Sequence, residues 1–136
     1  MLVDVNVFID VLEERKGVES SAQIMDLVQK RKLKGCISAL TVPVLWFLIE
    51  KRLPGREAMR IVQEITDGFQ VVPLSSAIIG TAFKSNMKDF EDAIQLHSAV
   101  KGKAGFLVTR NKKDFESYKG IYILTPEEFL ERTRRD

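Results

Sequence analysis

The sequence predicts an α/β protein, a three-layer α/β/α sandwich around a parallel sheet of about five strands. Two observations carry this. Short runs at residues 2–5, 36–38, 69–73, 104–108 and 121–124 are nearly all apolar, as strands covered on both faces must be. Segments of helical length and 3.6-residue periodicity separate them, so successive strands pair in parallel through right-handed crossovers.

Taken in order, Leu2, Val3 and Val5 form the first buried strand, and residues 7–13 a short helix ending before Lys16-Gly17. Residues 20–32 place Ile24, Leu27 and Val28 at helical spacing, with Ser20 or Ser21 as N-cap, and Gly35 ends this segment. Cys36-Ile37-Ser38 is the second strand. A helix from Thr41 or Val42 to about Leu53 carries Pro43 in its first turn, where a missing N–H costs nothing. Pro54-Gly55 breaks the chain before a helix over 56–67, whose inward residues are Ile61, Val62 and Ile65. The third strand follows Gly68. A helix opened by Ser75 or Ser76 runs through Phe83, and a polar joint at 84–88 leads to another over 89–101. The last two strands enclose the loop 109–115. Thr125, Pro126 and Glu128 then make a capping box for the final helix.

A chain of 136 residues suffices for one hydrophobic core and not for two, so 1–136 is read as a single domain. The longest apolar run, residues 42–49, is far too short to cross a bilayer, and no basic-then-apolar leader opens the chain. A lone cysteine, Cys36, in apolar surroundings fits a small core residue in a reducing cytoplasm. A net charge of +2 neither announces nor forbids a nucleic-acid partner, because local basic clusters decide that.

Several chemistries are disfavoured by what is missing. Neither a G-x-G-x-x-G nor a G-x-x-x-x-G-K-[ST] loop is present, so a nucleotide cofactor at a helix N-terminus is not expected. There is no G-x-S-x-G elbow. The single histidine, His97, shares a helical face with Phe90, Ala93 and Val100 and reads as a core or core-edge residue. One Cys and one His are too few for a zinc site.

Carboxylates remain. Asp4 interrupts an apolar run at the end of the first strand, where burial is costly without a partner. Asp4 or Asn6 also serves as a simple helix cap. Asp89 and Asp92 stand three apart at a helix start, roughly on one face, and Asp89 doubles as an N-cap. Asn111 and Asp114 lie in the loop after the fourth strand. In doubly wound sheets strands one and four are neighbours across the topological switch, so these oxygens converge. Two carboxylates about 4 Å apart repel by about 4 kcal/mol at an effective dielectric near 20, which calls for a cation. Hard oxygen ligands suit Mg²⁺ or Mn²⁺, and such an ion activates water against a phosphodiester.

The segment Asp4-Val5-Asn6-Val7-Phe8-Ile9-Asp10 resembles the D-x-N opening of the PIN domain family. Ile37-Ser38-Ala39-Leu40-Thr41 is similar to its second strand and loop, Asp92-Ala93 to its third acidic position, and Thr109-Arg110-Asn111-Lys112-Lys113-Asp114-Phe115 to its T-R-N-x-x-D-F segment. The matches follow family order over almost the whole chain. The resemblance implies an Mg²⁺- or Mn²⁺-dependent endoribonuclease acting on single-stranded RNA, very often the toxin of a VapC-type toxin–antitoxin pair. It implies an antitoxin protein as partner, and commonly a homodimer. Asp4 and Asp92 would be the metal ligands, with Asn111 and Asp114 completing the set or orienting water. Asn6, Ser38 and Thr109 would hold those ligands from behind. Arg110, Lys112 and Lys113, with Lys101 or Lys103, would steer RNA phosphates.

The chain departs from the family at its second acid. The T-x-x-E pattern has Val44 at the glutamate position, and Glu50 lies six residues on, about 9 Å along the helix. Asp89 is the candidate replacement. Where many members carry T-x-D, this chain has Asn111. The rival reading is therefore a PIN fold with a weakened metal site that binds RNA or protein without cutting. A haloacid-dehalogenase-like phosphatase using Asp4 ranks below both, since Asn6 stands where a second Asp is needed. Trp46 and Phe47 are expected in the core or on a dimer face.

Overall fold

A computed structural model describes residues 1–115 and 117–135. Five parallel strands, β1 (Leu2–Val3), β2 (Cys36–Ser38), β3 (Gln70–Val72), β4 (Phe106–Val108) and β5 (Tyr122–Leu124), lie in the order β3-β2-β1-β4-β5. The helices are α1 (Val5–Leu12), α2 (Val18–Gln29), α3 (Thr41–Glu50), α4 (Gly55–Ile65), α5 (Ser76–Lys84), α6 (Phe90–Lys101) and α7 (Pro126–Arg135). A 3₁₀ turn spans Lys112–Asp114.

Two hydrophobic clusters cover the two faces of the sheet, and the strand period of two decides which side chain joins which. Val3, Ile37 and Val108 pack with Phe8, Ile24, Leu45, Val62 and Phe129 from α1, α2, α3, α4 and α7. Their neighbours Leu2, Cys36 and Leu107 point the other way, onto Ile78, Ala82, Ala93, Leu96 and Ala99 of α5 and α6. The expected three layers follow from this division. Among the described residues, no helix is long and apolar enough to cross a membrane.

The chain differs from its sequence reading at several element ends. Val5 belongs to α1, which begins two residues earlier than expected. Val5, Val7 and Ile9 have strand-like side chains, but Val5, Val7 and Phe8 are buried on helical geometry, so packing overrides propensity. Asp4 occupies the N-cap position with extended backbone, yet its side chain makes no capping bond. Neither Ser20 nor Ser21 caps α2, which starts after Gly17. Asp89 does cap α6, accepting from the Asp92 amide at 2.9 Å. The Thr125/Glu128 box is formed in both directions, at 3.2 and 3.0 Å.

Candidate active site

In this strand order the chain leaves β1 toward β2 on one side, while β4 continues to β5 on the other. The switch point thus lies between β1 and β4, and a ligand crevice opens beyond their carboxyl ends. Asp4 and Thr109 follow those two strands directly, with the Asp4 amide bonded to the Val108 carbonyl at 2.9 Å. Both side chains are buried.

A connected set of hydrogen bonds fixes Asp4. The Thr109 hydroxyl donates to Asp4 Oδ2 at 2.8 Å. Thr109 Oγ1 itself accepts from Asn6 Nδ2 at 3.3 Å and from the Asn111 amide at 3.1 Å. Two incoming donors leave the hydroxyl proton directed at the carboxylate. Asn6 Oδ1 in turn accepts from the Arg110 amide at 3.1 Å.

Across the crevice, α6 begins. Asp89 and Asp92 line a cleft of about 410 Å³ together with Asn86, Met87, Lys88, Lys113, Asp114 and Phe115. The acids feel one another. Burial pushes the Asp92 carboxyl up to about 7, with further upward pressure from Asp4, then Asp89, Asp114 and Glu91. Asp4 rises to about 6, chiefly through burial. Its bonds from Thr109 and the Val5 amide oppose the rise, and Glu91 and Asp89 add to it. Glu91 is raised by burial and by Asp89. This fifth acid went unnoticed in the sequence, where only its place between Phe90 and Asp92 marks it. Asp4, Asp89, Asp92 and Asp114 therefore share one electrostatic neighbourhood although they come from three separate parts of the chain.

Other expected site residues are placed differently. Asn111 is exposed, and its backbone, rather than its side chain, joins the hydrogen-bond set. Ser38 is buried and accepts from the Leu40 amide at 3.2 Å, so its hydroxyl shapes the turn into α3. Arg110 was expected at RNA phosphates. Its guanidinium instead binds Asp10, Glu127, the Gly17 carbonyl and Ser21, and the side chain is only 18% exposed. Lys112 pairs with Glu128 at 2.9 Å. Lys113 stands at the cleft. Lys101 ends α6, nine residues and about 14 Å along the axis from Asp92, and Lys103 lies beyond it, so neither rims the cleft. Phe47 is 55% exposed with Lys51 over its ring, hence outside the core, while Trp46 is half-buried and donates to the Gly55 carbonyl.

Val44 packs half-buried against the α1–α4 cluster, offering no oxygen. Gln95, one turn after Asp92, is fully buried and donates to Thr41 Oγ1 at 3.2 Å, pinning the start of α3 to α6. Its lone polar position among Ala93, Ile94 and Leu96 was the available signal. Among the described residues, no three His, Cys, Asp or Glu side chains stand close enough to share one metal ion. The donors are nevertheless hard carboxylate oxygens, raised by burial and mutual repulsion that a divalent cation would relieve.

Residues 1–113 match the PIN domain family. No curated protein matches the chain. Solved structures share the fold, and two of them are similar over nearly the whole chain. One is a toxin–antitoxin complex from Klebsiella pneumoniae, 23% identical, with 92% of this chain and 96% of that one covered at a TM-score of 0.67. The other is VapBC2 from Rickettsia felis bound to a DNA fragment from their promoter, 14% identical, with 90% and 95% covered, also at 0.67.

Proposed function

The chain belongs to the PIN domain family, and from that premise we propose that it is a metal-dependent endoribonuclease cutting single-stranded RNA, and the toxin of a toxin–antitoxin pair. The observation that carries the reading is that Asp89, Asp92 and Asp114 line one cleft and that Asp4, at the end of β1, lies near enough to raise the Asp92 carboxyl. The toxin role is supported by the fold shared with the two toxin–antitoxin assemblies. On this reading the partner is an antitoxin protein, the molecule works as a cytoplasmic homodimer, and residues 1–136 act as one domain.

Asp4 and Asp92 would hold Mg²⁺ or Mn²⁺, with Asp89 or Asp114 as a further oxygen donor. A bound divalent cation supplies a Lewis acid that acidifies water and offsets phosphodiester charge. The chain's own residues do the rest. Thr109 locks the Asp4 carboxylate in one orientation through its 2.8 Å bond. Burial and the neighbouring acids push the Asp92 carboxyl up to about 7, so that a cation held there would compete with a proton near neutrality. Lys113 at the cleft offers a positive charge to a phosphate without reading sequence.

The test is cleavage of a single-stranded RNA oligonucleotide with Mn²⁺ by wild type, Asp4→Asn and Asp92→Asn. Loss of cutting in both variants supports the reading, and equal rates in all three proteins refute it. A second reading, a PIN fold that binds RNA or protein without cutting, is favoured by Val44 and by the lack of a ready three-acid cluster among the described residues. Wild-type binding to RNA with no Mn²⁺-dependent product would select it.

A further inference from the structure

The sequence motif that the cleft leaves unused is Arg110, and its surroundings are unusually specific. One guanidinium ties its own loop to three other parts of the chain. Nε bonds Asp10 of α1, Nη2 bonds the Gly17 carbonyl and Ser21 Oγ at the start of α2, and Nη1 takes the Glu127 carboxylate of α7. Asp10 is buried, and this arginine is the nearer of the two cations that make its burial tolerable, Arg15 standing 3.8 Å from the other carboxylate oxygen.

The socket is shaped for a planar fork. Gly17 has φ +85°, and a Cβ there would stand 3.2 Å from Nη2 and 3.4 Å from both Nη1 and Glu127 Oε1. A side chain at 17 would be strained by the backbone conformation and would crowd the guanidinium. A lysine ammonium cannot reach acceptors spread over so wide an arc.

The backbone of the same residue ends on the site. The Arg110 amide donates to Asn6 Oδ1, Asn6 donates to Thr109 Oγ1, and Thr109 donates to Asp4. The side chain anchors the peptide whose N–H sets Asn6. We propose that Arg110 is a positioning residue: its forked contacts hold the turn after β4 so that Asn6 and Thr109 orient the Asp4 carboxylate. This rests on the nuclease reading for its catalytic consequence, while the structural link stands without it.

The experiment compares wild type with Arg110→Lys in the full chain, using an RNA oligonucleotide with Mn²⁺, and follows amide hydrogen exchange in the same proteins. Arg110→Lys is expected to lower kcat about tenfold, the low end of what losing a group bonded directly to a metal ligand costs, with KM and its salt dependence unchanged. The Asn111 amide, which donates to Thr109, should exchange at least about tenfold faster, while Ile37 in β2 keeps its protection. Glu127→Gln, which alters only the exposed side of the socket, should give a smaller change in the same direction. A lysine variant with wild-type kcat overturns the proposal. So does a raised KM with a salt slope reduced by about 0.7, the mark of one lost phosphate contact. If wild type does not cut RNA, the exchange data still decide: unchanged Asn111 protection in Arg110→Lys overturns the link, and faster exchange upholds it.

Discussion

Replacing Asp4 by Asn should stabilise the metal-free protein while removing its activity, and only at neutral pH. Burial raises the Asp4 carboxyl from 3.8 to about 6, so between those values the folded state holds a proton that the unfolded state has lost. Stability therefore falls as pH rises through this window, and the full cost is present above about 6. At roughly 1.4 kcal/mol per pH unit the ionised, buried carboxylate costs about 3 kcal/mol. Asparagine keeps an oxygen for the Thr109 hydroxyl but presents an N–H₂ donor where a neutral carboxyl could still accept from the Val5 amide, an offset of about 1 kcal/mol. The net gain of about 2 kcal/mol corresponds to a rise in Tm of roughly 6–10 °C for a domain of this size. Thermal unfolding followed by circular dichroism in EDTA at pH 7.5 and at pH 4 reads it directly. The gain should appear at pH 7.5 and vanish at pH 4, where native Asp4 is already protonated. An equal gain at both pH values, or a loss at pH 7.5, would refute the reasoning.

Thr109→Val should leave the Asn6 and Asn111 donors and Asp4 Oδ2 without their shared hydroxyl, costing about 1–3 kcal/mol. It should also move the Asp4 titration further up, because the Thr109 bond opposes the rise, as carbon NMR of the carboxyl would report. Lys113→Ala should weaken RNA binding and reduce its salt slope by about 0.7, whereas Lys101→Ala at the far end of α6 should change neither, by fluorescence anisotropy at several salt concentrations. Thr125→Ala should cost about 1 kcal/mol in urea unfolding through loss of the α7 cap, without altering cleavage by the folded fraction.

The layering was readable because strands that are nearly all apolar must be covered on both faces, as they are: Leu2, Cys36 and Leu107 face one layer and Val3, Ile37 and Val108 the other. Asp4 could be singled out because a carboxylate in an apolar strand needs a reason. The Asp89 cap and the Thr125/Glu128 box were legible because each is a local bond over three residues. What escaped the sequence is long-range pairing. Asp10 and Arg110 are separated by 100 positions, and nothing along the chain signals that they meet, so Arg110 read as one more surface cation. The β-branched Val5, following Leu2 and Val3, made the first turn of α1 look like strand. Lys101 and Lys103 were placed at the cleft from charge alone, without the direction of α6, which carries them away from it.

The most direct test of the shared acidic site is a crystal of the protein soaked in Mn²⁺, with the ion located by its anomalous scattering. A single peak within bonding distance of both the Asp4 and Asp92 carboxylates is the predicted result. A peak touching neither, or no peak at millimolar Mn²⁺, would contradict it.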